Sequence, residues 1–535
     1  MSSLKVESEA ALADGSVEPK PETAEAQVTS RRRFFTASAT VAAASLVSAR
    51  AAAAQGTGTE TRRDMVRRIL GKTTRPETGP AKSVQVSAAA YDSALSKLVR
   101  RITNGATPDE MTLARKLGFQ GYLNYHLNAS KIDDGAVQAY VGTNYPYVSQ
   151  DSAQLYLLDQ GVVSTQFQNA TMYRGAFSKR QLYERMAEFF SDHFNIEYAT
   201  VEYMKVPDER DVARKFALGK FPDMVRASAH SPAMLEYLDN TRNRRNTINE
   251  NYGRELMELH TLGVDGGYSQ NDVRELSRCL TGWTIASRGV AFNFDPNGHD
   301  WNQKVVMGQV IPAQPTNSGQ LGLRDGDMMI DYLVAHPNTA RYLSKKMIRW
   351  LLRYDATEEQ ISTVASVYSS TQGDIPSMIR AILTEQNLLA APAKYRRPYT
   401  FVLSCLRATN PGILRLQNVT GTQLRTLGQT LFAWGPPDGY PDTADYWSGG
   451  ALPRWNFAYY LATNTADVPV DINKFMTTAT PAAVVDSINA ALFAGEMPDA
   501  LKSQLVAYAA GGTLNATRAR EVLSLALSSS TFQWM

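Results

Sequence analysis

From Tyr91 to the C-terminal residues, apolar side chains recur at intervals of three and four, the 3.6-residue period of helices that bury one face. Leu95, Leu98, Val99 and Ile102 make the first such stripe. Thr107-Pro108-Asp109-Glu110 then reads as a helix start, with Thr as cap, Pro in the first turn and Glu reaching back to the cap. Further helices are expected over 179–194, 207–218, 231–240, 244–262, 270–285, 325–335, 338–353 and 356–371. Beyond these the same pattern predicts 374–387, 396–409, 421–433, 453–463, 480–493, 498–509 and 515–529. One stretch breaks the period. Val290-Ala291-Phe292-Asn293-Phe294 alternates, Asp295-Pro296-Asn297-Gly298 is a turn, and Lys304-Val305-Val306-Met307 is strand-like. The expected class is mainly α, a multi-helix globular bundle with a small inserted β-hairpin.

The first ninety residues follow other rules. A polar leader ends at Ser30-Arg31-Arg32-Arg33-Phe34-Phe35, followed by a weakly apolar, uncharged run from Thr36 to Ala49 and the small residues Ala51 to Ala54. A basic start, a modest apolar run and a small-residue end are the parts of an export signal. The arginines with the following Phe make it resemble the twin-arginine type, which carries folded proteins. Residues 1–54 are therefore expected to be a signal peptide and 55–87 a polar linker or arm, leaving 88–535 as the helical domain. A division of that domain into two subdomains would fall near 410–420.

Lys and Arg exceed Asp and Glu by only 55 to 52, a net charge of +3, which gives no basic footprint for a nucleic acid. No run of about 18 apolar residues occurs, so no integral membrane segment is expected. Cys279 and Cys405 are the only cysteines, too few for a Cys-built zinc site, and both read as buried small hydrophobes. The chain has no G-x-S-x-G elbow, phosphate loop, H-E-x-x-H or G-x-G-x-x-G.

The chemistry-bearing residues cluster between 189 and 300. His193 closes the aromatic run Phe189-Phe190-Ser191-Asp192. The segment Asn249 to His260 packs Glu250, Glu255, Glu258, Arg254 and His260 into three turns, and Gly298-His299-Asp300-Trp301 follows the turn at 295–298. On an ideal helix the three Glu and Arg254 share an arc of about 140°. Glu255 and Glu258 can then converge on one ion, while His260 lies off that arc. The spacing is similar to Glu-rich helices that feed metal sites of bundles, with Glu258 where such motifs carry His. The same residues also make a ladder of ion pairs, Glu250–Arg254–Glu258, on a solvated face. Ser269 to Asp272 reads as a capping box.

The run Asn249 to Gly263, then Gly267-Tyr268-Ser269-Gln270-Asn271-Asp272-Val273, Leu280-Thr281-Gly282-Trp283 and His299-Asp300, resembles the signature of a bacterial family known as domain of unknown function 1800. Ala227-Ser228, Pro232 to Leu235, His336-Pro337, Arg396-Arg397-Pro398 and Ser530 to Gln533 fit as well. Tyr440 departs from the family pattern, which has Trp after the Pro-Pro-x-Gly turn. The resemblance implies an exported, mostly helical protein, often accompanied by a sulfatase-like partner. It implies no reaction.

Two functions are consistent with these residues. One is an exported metal-dependent enzyme, hydrolase rather than oxidase, acting on an extracytoplasmic polymer or its fragments. A divalent ion would sit on His193, Glu255, Glu258, His260 and His299, with Glu250 or Asp300 as base. The other is a non-catalytic envelope protein that binds a polysaccharide or a protein through Trp434, Tyr440, Tyr446, Trp447 and Trp455, which would otherwise fill a gap between helices. Arg396-Arg397 is read as an anion site or a cap on the preceding helix.

Overall fold

Helix starts are set by side chains that take up the free N–H groups of the first turn. Thr107 accepts from Glu110 N ahead of the helix Pro108–Leu127, and Ser269 with Asp272 makes a reciprocal box ahead of Gln270–Cys279. Thr357 with Gln360 does the same before Glu358–Thr371. Glu110 turns away from its cap: its carboxylate takes the Tyr122 hydroxyl at 2.7 Å and the Arg407 guanidinium at 3.3 Å. A computed structural model describes residues 93–316 and 318–535 of the chain. The expected signal peptide and the whole of the expected linker lie outside the described residues.

The architecture is mainly α. Leu98, Val99 and Ile102 are buried, with Leu95 at the edge of that stripe. The helices Pro337–Leu351 and Glu358–Thr371 pack side by side, as do Ala451–Thr463 and Ala516–Ser528. Among the described residues no helix is long and apolar enough to cross a membrane. Cys279 and Cys405 are free thiols in the core, where burial raises both pKa values, that of Cys279 to about 12.

The inserted β structure is two short antiparallel pairs. Trp283–Ile285 pairs with Phe292–Phe294, and Lys304–Val306 pairs with Gln309–Ile311. Neither expected run therefore pairs with the other. Met307 (φ 48°) and Gly308 (φ 81°) both adopt left-handed backbone, the geometry of a tight hairpin turn, so 304–306 folds back on the residues just after it. The expected 270–285 helix stops at Cys279 for a related reason: Gly282 (φ 81°) turns the chain and releases Trp283 into the first ladder.

Three helical segments widen from the α to the π form: Glu209–Arg214, Leu256–Thr261 and Val419–Gln423. Such turns are frequent at functional sites. The expected 244–262 helix starts only at Asn251, because Asn243 Oδ1 holds the Asn249 N–H at 3.0 Å and Arg244 bridges to Thr247.

The C-terminal residues fold back onto 394–396. Lys394 and Met535 exchange backbone hydrogen bonds at 2.8 and 2.9 Å, Arg396 N donates to Gln533 O, and Arg101 Nη1 donates to Met535 O at 2.6 Å. Arg454 ties the arrangement together from Gln533 Oε1 and Arg396 O.

Candidate functional site

The seven residues singled out from the sequence fall in three settings. The first holds His193 and His260, each 1% exposed, with ring centroids 6.2 Å apart. His193 ends the helix Gln181–His193, and its Nε2 lies 3.2 Å from the His260 carbonyl oxygen, to which it donates. The π turn Leu256–Thr261 widens the helix at His260, so the ideal-helix arc does not apply there. Among the described residues, His193 Nδ1 and both His260 nitrogens have no hydrogen-bond partner. Burial and the charge of Lys346 keep both rings neutral, with the His260 pKa lowered to about 3 and that of His193 well below its ordinary value.

The second setting is built around His299 and Asp300. His299 Nδ1 lies 2.8 Å from Thr281 O, and Nε2 lies 3.2 Å from Asp325 Oδ2. Lys304 Nζ reaches the same carboxylate at 2.6 Å. Asp300 Oδ2 accepts from Arg278 Nε at 2.7 Å, and Oδ1 accepts from Asn302. Burial opposes ionisation of Asp300, yet Arg278 and the Asn302 N–H hold its pKa below the usual value. The third setting is the Glu-rich stretch. Glu250 accepts from Arg254 at 3.2 Å and from Gln270 at 2.5 Å. Glu258 and Glu255 both act on Tyr268, whose pKa burial and their charge raise to about 12.

Among the described residues, no three His, Cys, Asp or Glu side chains form a group that could hold a metal ion. Lys346, acting electrostatically on both buried imidazoles, further disfavours a cation between them.

His193 also lines a different feature, a cleft of about 240 Å³ between the ends of 181–193, the helix 337–351 and the loop 434–443. Asp192, Lys346, Trp350, Arg397 and Tyr440 contribute to its wall, and the exposed side chains of Arg349 and Asp438 stand at its rim. Arg397 is the organising cation. Its Nη1 binds Asp192 Oδ2 at 2.7 Å and its Nη2 approaches Glu188 Oε1 at 3.3 Å, one turn apart on the same helix. Arg397 and Arg185 both stack on the Trp350 ring, at 5.0 and 4.7 Å from its centroid. Arg397 thus caps no helix carbonyl here; it joins two helices. Lys394 pairs with Asp442 at 3.1 Å and donates to the Arg349 carbonyl.

The loop is fixed from several sides. Asn195 Nδ2 donates to Trp434 O and Pro436 O, Trp434 Nε1 to Asp438 Oδ1, Tyr440 Oη to Thr430 O, and Trp447 Nε1 to Pro441 O. Gly439 (φ 77°) lies against the Asp192 backbone, where a Cβ would come within 2.2 Å of the carbonyl oxygen. Gly439→Ala is expected to lower stability by about 1–3 kcal/mol and push the loop off the helix end. Thermal unfolding, with Trp fluorescence reporting on Trp434, checks this.

Burial shifts the cleft's titrations toward neutrality. It raises Glu188 to about 7 against the opposing charge of Arg397 and Arg185, and it raises Asp192. It lowers Lys346 to about 8 and Lys394 to about 7. Among the described residues Lys346 makes no ion pair; its ammonium lies 5.5 Å from the Tyr342 ring centroid, and the charges of Asp192 and Asp438 act on it without a direct contact. The arrangement supplies a proton carrier beside fixed positive and negative charge, the ingredients of general acid–base chemistry. Sequence reasoning missed Lys346, Glu188, Asp438 and Asp442. The Pro-Pro-x-Gly turn ahead of Tyr440 was the one local sign that the loop has a fixed shape.

No curated protein and no solved structure matches the chain. The family model described as "Protein of unknown function (DUF1800)" matches residues 97–534, and the chain belongs to that family.

Proposed function

We propose, with membership of that family as the premise, that the protein is an exported hydrolase. It would act on an extracytoplasmic polymer or its fragments, with its chemistry in the cleft at Lys346. The observation that carries this reading is the unpaired Lys346 ammonium beside Asp192 and His193 in a cavity closed by Arg397 and Tyr440. Burial lowers the Lys346 pKa to about 8, and the deprotonated fraction of that amine accepts a proton from the attacking water and returns it to the leaving group; Asp192, held by Arg397, fixes the field around it. Arg349 at the rim offers charge to an anionic portion of the substrate. No step is routed through a metal, since among the described residues no three His, Cys, Asp or Glu side chains group to hold one. Export rests on the arginines at 31–33 and the small-residue run after them.

The test uses protein recovered from outside the cytoplasmic membrane, incubated with oligosaccharides and peptide and ester fragments in ¹⁸O water, with products read by mass spectrometry. Label in one product, insensitive to chelators and reduced about 100-fold or more in Lys346→Met and Asp192→Asn, is the expected result. Unchanged turnover in folded Lys346→Met sinks the assignment.

One observation favours a second reading, a non-catalytic binder of a polysaccharide or of a co-exported sulfatase-like protein. Tyr446 is 53% exposed and meets Trp434 edge-on at 6.2 Å, an aromatic face beside the cleft that suits a sugar ring. Retardation on glycan gels that vanishes in Tyr446→Ala, without any product, would support it.

A further inference from the structure

A second cavity, of about 230 Å³, lies away from Lys346 and is lined by Arg174, Arg210, Arg214 and Glu209 on its polar side. Three guanidinium groups share this wall, and two are already neutralised. Arg214 makes a two-pronged contact with Glu184 at 2.7 and 2.8 Å, and Arg210 makes one with Asp211 at 2.8 and 2.9 Å. Glu209 is taken by Lys205 at 3.3 Å and by the Ser191 hydroxyl at 2.7 Å. Asp134, the other carboxylate acting on Arg174, accepts from Gln138, Ser178 and the Lys179 N–H.

Arg174 is left over. It has no ion pair among the described residues; its one hydrogen bond is a long one, 3.4 Å from Nη2 to Gln138 Oε1, and its buried Nε has no partner. Burial and the neighbouring Arg214 lower its pKa, to about 10, so it still carries its charge at neutral pH. Val141, Val148, Phe167 and Val206 give the same cavity an apolar lining. Arg210 and Arg214 are brought to the cavity by the π segment Glu209–Arg214.

We infer that this cavity is a binding site for a small carboxylate with an apolar body, its head on the Arg174 guanidinium and its tail against Val141, Val148 and Phe167. A planar carboxylate matches the fork of a guanidinium with two parallel hydrogen bonds, and the apolar wall selects against inorganic anions. The inference does not depend on the chemistry proposed for the Lys346 cleft.

Hexanoate is the probe, titrated calorimetrically into the full chain, with hexylamine as the oppositely charged control. Two variants separate loss of binding from loss of fold. Arg174→Gln removes the charge. Gly142→Phe covers the rim from a helical position where a Cβ meets nothing within 4 Å, so it adds bulk without strain. Saturable binding of one hexanoate per chain, absent for hexylamine and weakened at least tenfold by each folded variant, is the expected result. Absence of hexanoate binding to the wild type, or binding that survives Gly142→Phe in a folded protein, overturns the inference.

Discussion

Arg397→Met is expected to lower the stability of the protein by about 3–5 kcal/mol, one of the largest effects of any single substitution in the described chain. The guanidinium is 5% exposed and holds Asp192 and Glu188 together. The Glu188 carboxyl is buried and that of Asp192 half-buried, and burial already raises both pKa values in spite of the cation. Without it the folded state retains protons that the unfolded chain has released. Stability then falls as pH rises from about 4 toward the new folded values, so the deficit relative to wild type is smallest near pH 5 and grows toward pH 8. Urea unfolding at several pH values reads both the size and the direction. A deficit below 1 kcal/mol at pH 8, or one that shrinks with rising pH, would contradict the assignment of Arg397 as the charge-balancing group.

The second large effect is on the acid side. His260 is buried neutral, with its pKa lowered from the usual 6.5 to about 3. Below pH 6.5 the unfolded chain binds a proton that the folded chain refuses, so this residue's contribution is present above that pH and is lost on acidification. The loss between pH 6.5 and 3 is on the order of 4 kcal/mol. Glu188 runs the other way over part of the range, since its raised pKa favours the folded state on acidification. A variant isolates the histidine because it leaves Glu188 in place. Both His260 ring nitrogens lack partners among the described residues, so His260→Leu sacrifices no hydrogen bond. It is expected to match or exceed wild-type stability at pH 7 and to flatten the acid limb of the stability profile. An acid limb unchanged in His260→Leu would show that His260 is not the group that titrates.

Much of the helical framework was legible because its signals are local. Thr107-Pro108 and Ser269 to Asp272 announce helix starts within four residues, and both caps form. The helix Gln160–Phe177 carries no comparable stripe; its Gln, Ser, Thr and Gly residues interrupt the apolar period, and it went unpredicted. The wheel drawn over 244–262 assumed one period, and the π turn at Leu256–Thr261 breaks it. The cleft was harder still. Its charges come from residues 188–192, 346, 394–397 and 438–442, and no one of these segments looks unusual alone. What makes Lys346 notable is that, among the described residues, no carboxylate makes a contact ion pair with it, a property of packing that spacing along the chain does not carry.

The C-terminal tie has a kinetic consequence. Arg101 reaches Met535 across 434 residues, and Arg397 reaches Asp192 across 205. Contacts this distant in sequence contribute only after the intervening chain has already been ordered, because closing such loops costs entropy first. The helices can therefore form early, while the charged cleft is completed among the last events of folding. Until then Glu188, Asp192 and Lys394 remain hydrated, and the cleft is incomplete in a partly folded chain. A protein assembled in this order is suited to finishing its folding where chaperones are at hand, in keeping with the proposed export of an already folded chain.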